Sequence, residues 1–135
     1  MSVKIKSGLW ATLWRKKKAS TVFTKNQFVD LVSGFVQPST SSTAKIMGVN
    51  ADTAVAATDD DYTSTDKIPV LVPRGGTSLV EATVTGTFAS TSEGSEFDLS
   101  DSVTVDADAS TNDPVVCVRY LSATSGDFAI NPQIG

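Results

Sequence analysis

At 135 residues the chain is long enough to bury a hydrophobic core as one domain without cross-links. It has no histidine and a single cysteine, which excludes an internal disulfide and the usual Cys/His zinc sites. The net charge of −4 is unevenly laid out: seven basic and no acidic side chains precede Asp30, while the remainder holds four basic against fifteen acidic ones. Such a division predicts two parts that meet different surfaces, or one subunit's N-terminus meeting another subunit's body.

Residues 1–22 read as a basic, tryptophan-containing N-terminal arm, and 23–135 as the folded domain. Val3-Lys4-Ile5-Lys6 alternates like an edge strand. Trp10, Leu13 and Trp14 stand at i, i+3 and i+4, which predicts one face of a helical turn. Terminal residues order only when tied down, so these three are the expected arm anchors on a partner surface or on the chain's own body. Arg15, Lys16, Lys17 and Lys18 follow directly and would steer the arm to an acidic protein partner. The segment has no apolar core or cleavage pattern of a secretory signal, and no apolar run approaches the ~18 residues that cross a membrane.

Phe28 to Val36 is the first convincing strand or hairpin. Gln37 to Thr43 is a polar loop, and Lys45 to Val49 a short strand with Gly48 at a bulge or turn. Ala51 to Asp66 reads as a surface excursion. Pro69 and Pro73 flank Val70-Leu71-Val72 in the strand that opens at Ile68, which places it at a sheet edge or makes it begin at its proline. Leu79 to Phe88, Gly94 to Leu99 and Val103 to Asp106 alternate with period two and are rich in Val and Thr. Val115 to Leu121 and Asp127 to Ile130 close the pattern as a hairpin around a five-residue loop. Seven to nine short strands make the fold class all-β: a small antiparallel barrel or sandwich with an extended arm.

Chemistry is sparse. Asp59-Asp60-Asp61 has three adjacent carboxylates that diverge rather than converge on an ion. Asp106, Asp108, Ser110 and Asn112 copy the start of a calcium loop. Thr111 stands where its glycine belongs and Cys117 where its bidentate glutamate belongs, so capping carboxylates are expected instead. Glu81, Glu96 and Asp98 read as outward residues of alternating strands. Without histidine, a serine or cysteine nucleophile has few bases to choose from. No catalytic, metal or cofactor site is expected, and Cys117 in Val115-Val116-Cys117-Val118 reads as a buried thiol.

The order of several motifs carries a resemblance. Phe23-Thr24-Lys25-Asn26-Gln27, Ile46-Met47-Gly48-Val49, Asp60-Asp61-Tyr62-Thr63 and Ile68-Pro69-Val70 come first. Glu81-Ala82-Thr83-Val84, Gly94-Ser95-Glu96-Phe97-Asp98-Leu99, Thr104-Val105-Asp106 and Tyr120-Leu121-Ser122-Ala123-Thr124 follow. Over residues 22–132 this resembles the capsid decoration (cement) proteins of tailed bacteriophages. The resemblance implies a tulip-like β domain on the exterior of the virion head, a homo-trimer bridging neighbouring major capsid protein subunits, and no catalytic residues. The arm of residues 1–22 lies outside it. Two other expectations stand beside it: a head fibre or tail-associated β module for host-surface binding, and a nucleic-acid-binding protein using the basic arm. The acidic body disfavours the latter.

Overall fold

The computed structural model describes residues 2–18, 21–51, 67–75 and 77–131. Among them the chain forms eleven strands and one 3-10 turn, more strands than the seven to nine that periodicity marks. The strands are β1 (Lys4–Ser7), β2 (Trp10–Lys16), β3 (Phe28–Val32), β4 (Phe35–Pro38), β5 (Gly48–Asn50), β6 (Lys67–Pro73), β7 (Leu79–Thr85), β8 (Glu96–Asp101), β9 (Thr104–Asp106), β10 (Val115–Ser122) and β11 (Ser125–Ile130). The all-β class is as the alternation requires. The Asp59–Asp61 run lies outside the described residues.

The first sheet runs β1-β7-β11-β10-β8-β9 and closes on itself through β7–β9. One edge of β7 is shared between two partners. Leu79–Glu81 pair with β1, and Thr83–Thr85 pair with β9 in parallel. That one parallel contact closes an otherwise antiparallel sheet into a five-stranded barrel with no long free edge. Its core is built from Val80, Val84, Phe97, Leu99, Val105 and Phe128, among others, with Phe88 packed on Phe97, Phe128 and Tyr120. The β10–β11 hairpin turns tighter than expected, with Ala123-Thr124 between Ser122 and Ser125.

The second sheet runs β2-β6-β5-β3-β4 and is antiparallel throughout. Its two outer strands meet where Lys17 bridges to Val36 in parallel, and the Lys18 N–H donates to the Val36 carbonyl at 2.9 Å. It encloses a smaller core of Phe23, Val29, Val36, Met47, Ile68 and Val70. Phe28, Ile46 and Val49 come from the second sheet or its loops but belong to the first core. The Phe28 N–H donates to the Ser102 carbonyl at 2.7 Å, so the two bodies are joined through both packing and backbone.

Three local expectations are corrected. Strand β6 is not an edge: it lies between β2 and β5. Pro69 is tolerated because its carbonyl faces the β5 side, accepting from the Ala51 N–H, beyond the last β5 ladder pair. Gly48 is neither bulge nor turn but a strand residue under Leu71, whose carbonyl oxygen a Cβ would overlap. Asp98 does not face outward; it is buried beneath the β9–β10 loop.

The N-terminal segment is likewise incorporated rather than extended. Strand β1 pairs with β7, all seven residues of β2 pair with β6, and Val3 is buried in the first core. Residues 10–14 are therefore strand, not a helical turn. Seven cross-strand partners outweigh a three-residue coincidence with helical spacing.

Candidate interaction surface

Strand geometry redistributes the expected anchors. In a strand, residues 10, 12, 14 and 16 share one face, and 11, 13, 15 and 17 the other. Leu13 therefore turns into the second core. Trp10 lies at the end of β2 nearest the first barrel, packs against that core, and its indole Nε1 donates to the Ser7 carbonyl at 3.0 Å. Trp14, two strand positions further along the same face, is 56% exposed. Of the three residues, only Trp14 is exposed; Trp10 and Leu13 are partly buried.

The basic run splits too. Lys17 is 1% exposed beside Val36 and cannot reach a partner. Arg15, Lys16 and Lys18 remain exposed. The Arg15 Nη1 donates to the Trp14 backbone carbonyl at 3.0 Å, which ties the guanidinium back to β2. Lys16 stands directly opposite Lys67, and Trp14 directly opposite Pro69. Like charges at an opposed cross-strand pair cost roughly 0.2–1 kcal/mol. Among the described residues no carboxylate forms an ion pair with Arg15, Lys16, Lys18 or Lys67; the ion pairs there join Lys6 to Glu81 and Asp127, and Arg119 to Asp127. The surface is an exposed indole bordered by a cationic pair that has no carboxylate partner among the described residues.

Next to it lies a feature that the sequence reading passed over. The β3–β4 hairpin turns at Ser33-Gly34, both at positive φ, and carries exposed Leu31 and Val32 with half-buried Phe35. Because Lys17 bridges to Val36, this apolar tip adjoins the Lys16–Lys18 end of β2. The available signal was Leu31-Val32, two consecutive apolar residues at a hairpin end, where alternation would give one.

Among the described residues charge segregates between the two bodies; Asp52, Asp59, Asp60, Asp61 and Asp66, between β5 and β6 in the sequence, lie outside them. All described acids except Asp30 lie at or beyond Glu81, in the first barrel and its loops. Arg15, Lys16, Lys17, Lys18, Lys45 and Lys67 belong to the second sheet and its connections.

The remaining carboxylates are occupied locally. Asp106 Oδ1 accepts from the Asp108 N–H at 3.0 Å, Asp108 Oδ1 accepts from the Thr87 N–H at 3.0 Å, and Asp113 Oδ1 accepts from the Ser110 hydroxyl at 2.6 Å. Asp98 accepts from the N–H groups of Thr111, Asn112 and Asp113 at 2.7–3.1 Å. The calcium-loop spacing is thus spent on pinning the β9–β10 connection. Glu81 takes Lys6 at 3.0 Å, and Glu96 accepts from the Asn131 amide at 2.9 Å. Cys117 is buried, and burial first, then Glu93, pushes its thiol up to about 11. Comparison with family models, curated proteins and solved structures found no match to this chain.

Proposed function

We propose that this protein is a non-enzymatic structural component of a phage virion, of the capsid decoration kind. On this reading it binds the outside of the head and cements neighbouring major capsid protein subunits against the pressure of packaged DNA, as a symmetric homo-trimer. The motif order supports the shell. What the fold adds is a means of docking: Trp14 as anchor, with Arg15, Lys16, Lys18 and Lys67 drawing it onto an acidic surface. The single observation that carries this mode is the exposed indole beside the opposed Lys16–Lys67 pair. An anionic partner relieves that repulsion, which no carboxylate among the described residues offsets. Trp10, Leu13 and Lys17 leave the contact set, because each is engaged inside the molecule.

The test is to mix purified protein with expanded, undecorated heads and image them by cryo-electron microscopy. Regular density at three-fold or quasi-three-fold positions, with the Trp14 face against the shell, is the expected result. Density confined to a vertex or tail moves the protein to the fibre or tail class. Absence of density on any shell overturns the virion reading.

One observation favours a second reading. Trp14 and Lys16, with Lys67 opposite, lie on one face of a folded sheet rather than on a loose arm, which is how single-stranded nucleic acid is held by charge and stacking. The acidic first barrel opposes it. Binding to single-stranded DNA that falls steeply with salt, and is lost in Trp14→Ala, would put this reading first.

A further inference from the structure

The prolines of β6 show which way the backbone of β2 faces. Trp10 stands opposite Pro73 and Trp14 opposite Pro69, and neither proline has an N–H to donate. The Pro69 carbonyl is turned to the β5 side, where it accepts from the Ala51 N–H at 3.0 Å. Trp14–Pro69 is therefore a non-hydrogen-bonded pair of the antiparallel ladder, and the backbone groups of Trp14 point away from β6. Both ends of β2 agree. The Leu9 carbonyl accepts from the Arg74 N–H on the β6 side, while the Lys18 N–H donates to Val36 on the opposite side. By alternation the N–H and C=O of Thr12 point outward as well.

That outward edge is open. Strand β2 is the last of its sheet and bridges to β4 only through Lys17 and Lys18. Among the described residues the outward N–H groups of Thr12 and Trp14 have no acceptor, and the Trp14 carbonyl is met only by the Arg15 guanidinium. A side chain stands where a neighbouring strand would donate. Ala11 and Leu13, on the inward face of β2, are only half-buried. An unpaired strand edge is a template for another extended segment, which takes up the free backbone groups and sets its side chains alternately on the two faces.

The surrounding residues define that segment. Every second side chain would cover Ala11 and Leu13 and is best apolar. The others would lie beside Trp14 and Lys16, near Arg15, Lys18 and Lys67, all exposed. These cations call for carboxylates, whereas a second copy's β2 would bring cations of its own. We propose that the edge of β2 at Thr12 and Trp14 is a strand-addition site for an extended partner segment alternating apolar and acidic residues. The proposal rests on the docking face described above, not on the virion, and makes backbone pairing the mode of contact.

The test is titration of the isotopically labelled full chain with an end-blocked octapeptide alternating valine and glutamate, read by amide shifts and amide exchange. Expected are saturable shifts centred on residues 11–16, with exchange slowed at Thr12 and Trp14 but not at Leu13, whose N–H already faces β6. The same peptide N-methylated along its backbone should not bind, nor should one alternating valine and lysine. Thr12→Pro removes one outward N–H and leaves the β6 ladder intact, so it should weaken binding about tenfold. Should Thr12→Pro not fold, the N-methylated peptide carries the same test. The proposal is overturned by absence of saturable shifts, by equal binding of the N-methylated or the lysine peptide, or by Thr12 and Trp14 amides already protected in the free protein. Since the probe is a free peptide, its failure is distinct from a failure to decorate heads.

Discussion

Asp30 and Asp98 are the same residue at nearly the same burial, yet their surroundings push them in opposite directions. Around Asp30, burial dominates and raises the carboxyl above its ordinary 3.8, with Thr43 and Gln37 offsetting only part. Around Asp98, burial also raises it, but the N–H groups of Asp113, Asn112 and Thr111 together outweigh burial and bring it below 3.8. The signs for stability follow. The Asp98 contribution is present above the unfolded value near 3.8 and is lost as pH falls through the folded one. The Asp30 contribution is present below 3.8 and is lost as pH rises through its folded value, so ionised Asp30 is a cost at neutral pH. Asp98→Ala should therefore lower stability by roughly 3 kcal/mol at neutral pH, since several charge-assisted hydrogen bonds go at once. Asp30→Asn should raise the denaturation midpoint at neutral pH, with the gain vanishing as pH approaches 3.8; urea melts across that range check both. Neither environment was legible in the sequence. Alternation in Glu96-Phe97-Asp98-Leu99 points Asp98 outward, and only the loop closing from thirteen to fifteen residues downstream reverses it.

At the scale of the element, β2 shows why local spacing misleads. Trp10 and Trp14 are four apart, which puts them on one face of a helix and also on one face of a strand. Leu13 decides between the two, and its place in the second core is a tertiary fact. Strands β7 to β11 were legible because period-two alternation is strong there. Strand β6 was legible as a strand but not as an interior one, since the neighbour that makes it interior, β2, was itself misread. A pair of substitutions separates the two tryptophans. Trp10→Ala removes an indole packed on the first core and should cost on the order of 3 kcal/mol. Trp14→Ala should stay within about 0.5 kcal/mol of the parent, because little of its packing is lost. Denaturation curves read the difference. Shell binding should show the reverse ranking, with Trp14→Ala weakening it more than any single loop substitution.

For the whole molecule, the charge asymmetry was visible in the sequence, but its meaning changed with the fold. What reads as a basic arm on an acidic body is divided, among the described residues, between two joined β bodies. Lys4 and Lys6 go to the acidic first barrel, where Lys6 meets Glu81 and Asp127, while Arg15 to Lys18 go to the second sheet with Lys67. The closing β7–β9 contact and the second core were not legible, because each depends on pairings between segments far apart in sequence. This division makes a discriminating prediction possible at Lys16. Lys16→Glu converts the opposed Lys16–Lys67 pair into an attractive one, so the free protein should gain up to about 1 kcal/mol of stability. The same change removes a positive charge from the proposed docking face and adds a negative one, so association with an acidic partner should slow and lose much of its salt dependence. A variant that is both more stable and a poorer binder is expected only if the repulsion is kept for the partner's sake. If Lys16→Glu binds expanded heads as well as the parent at low salt, the cationic pair has no part in docking. Trp14 would then hold the surface alone.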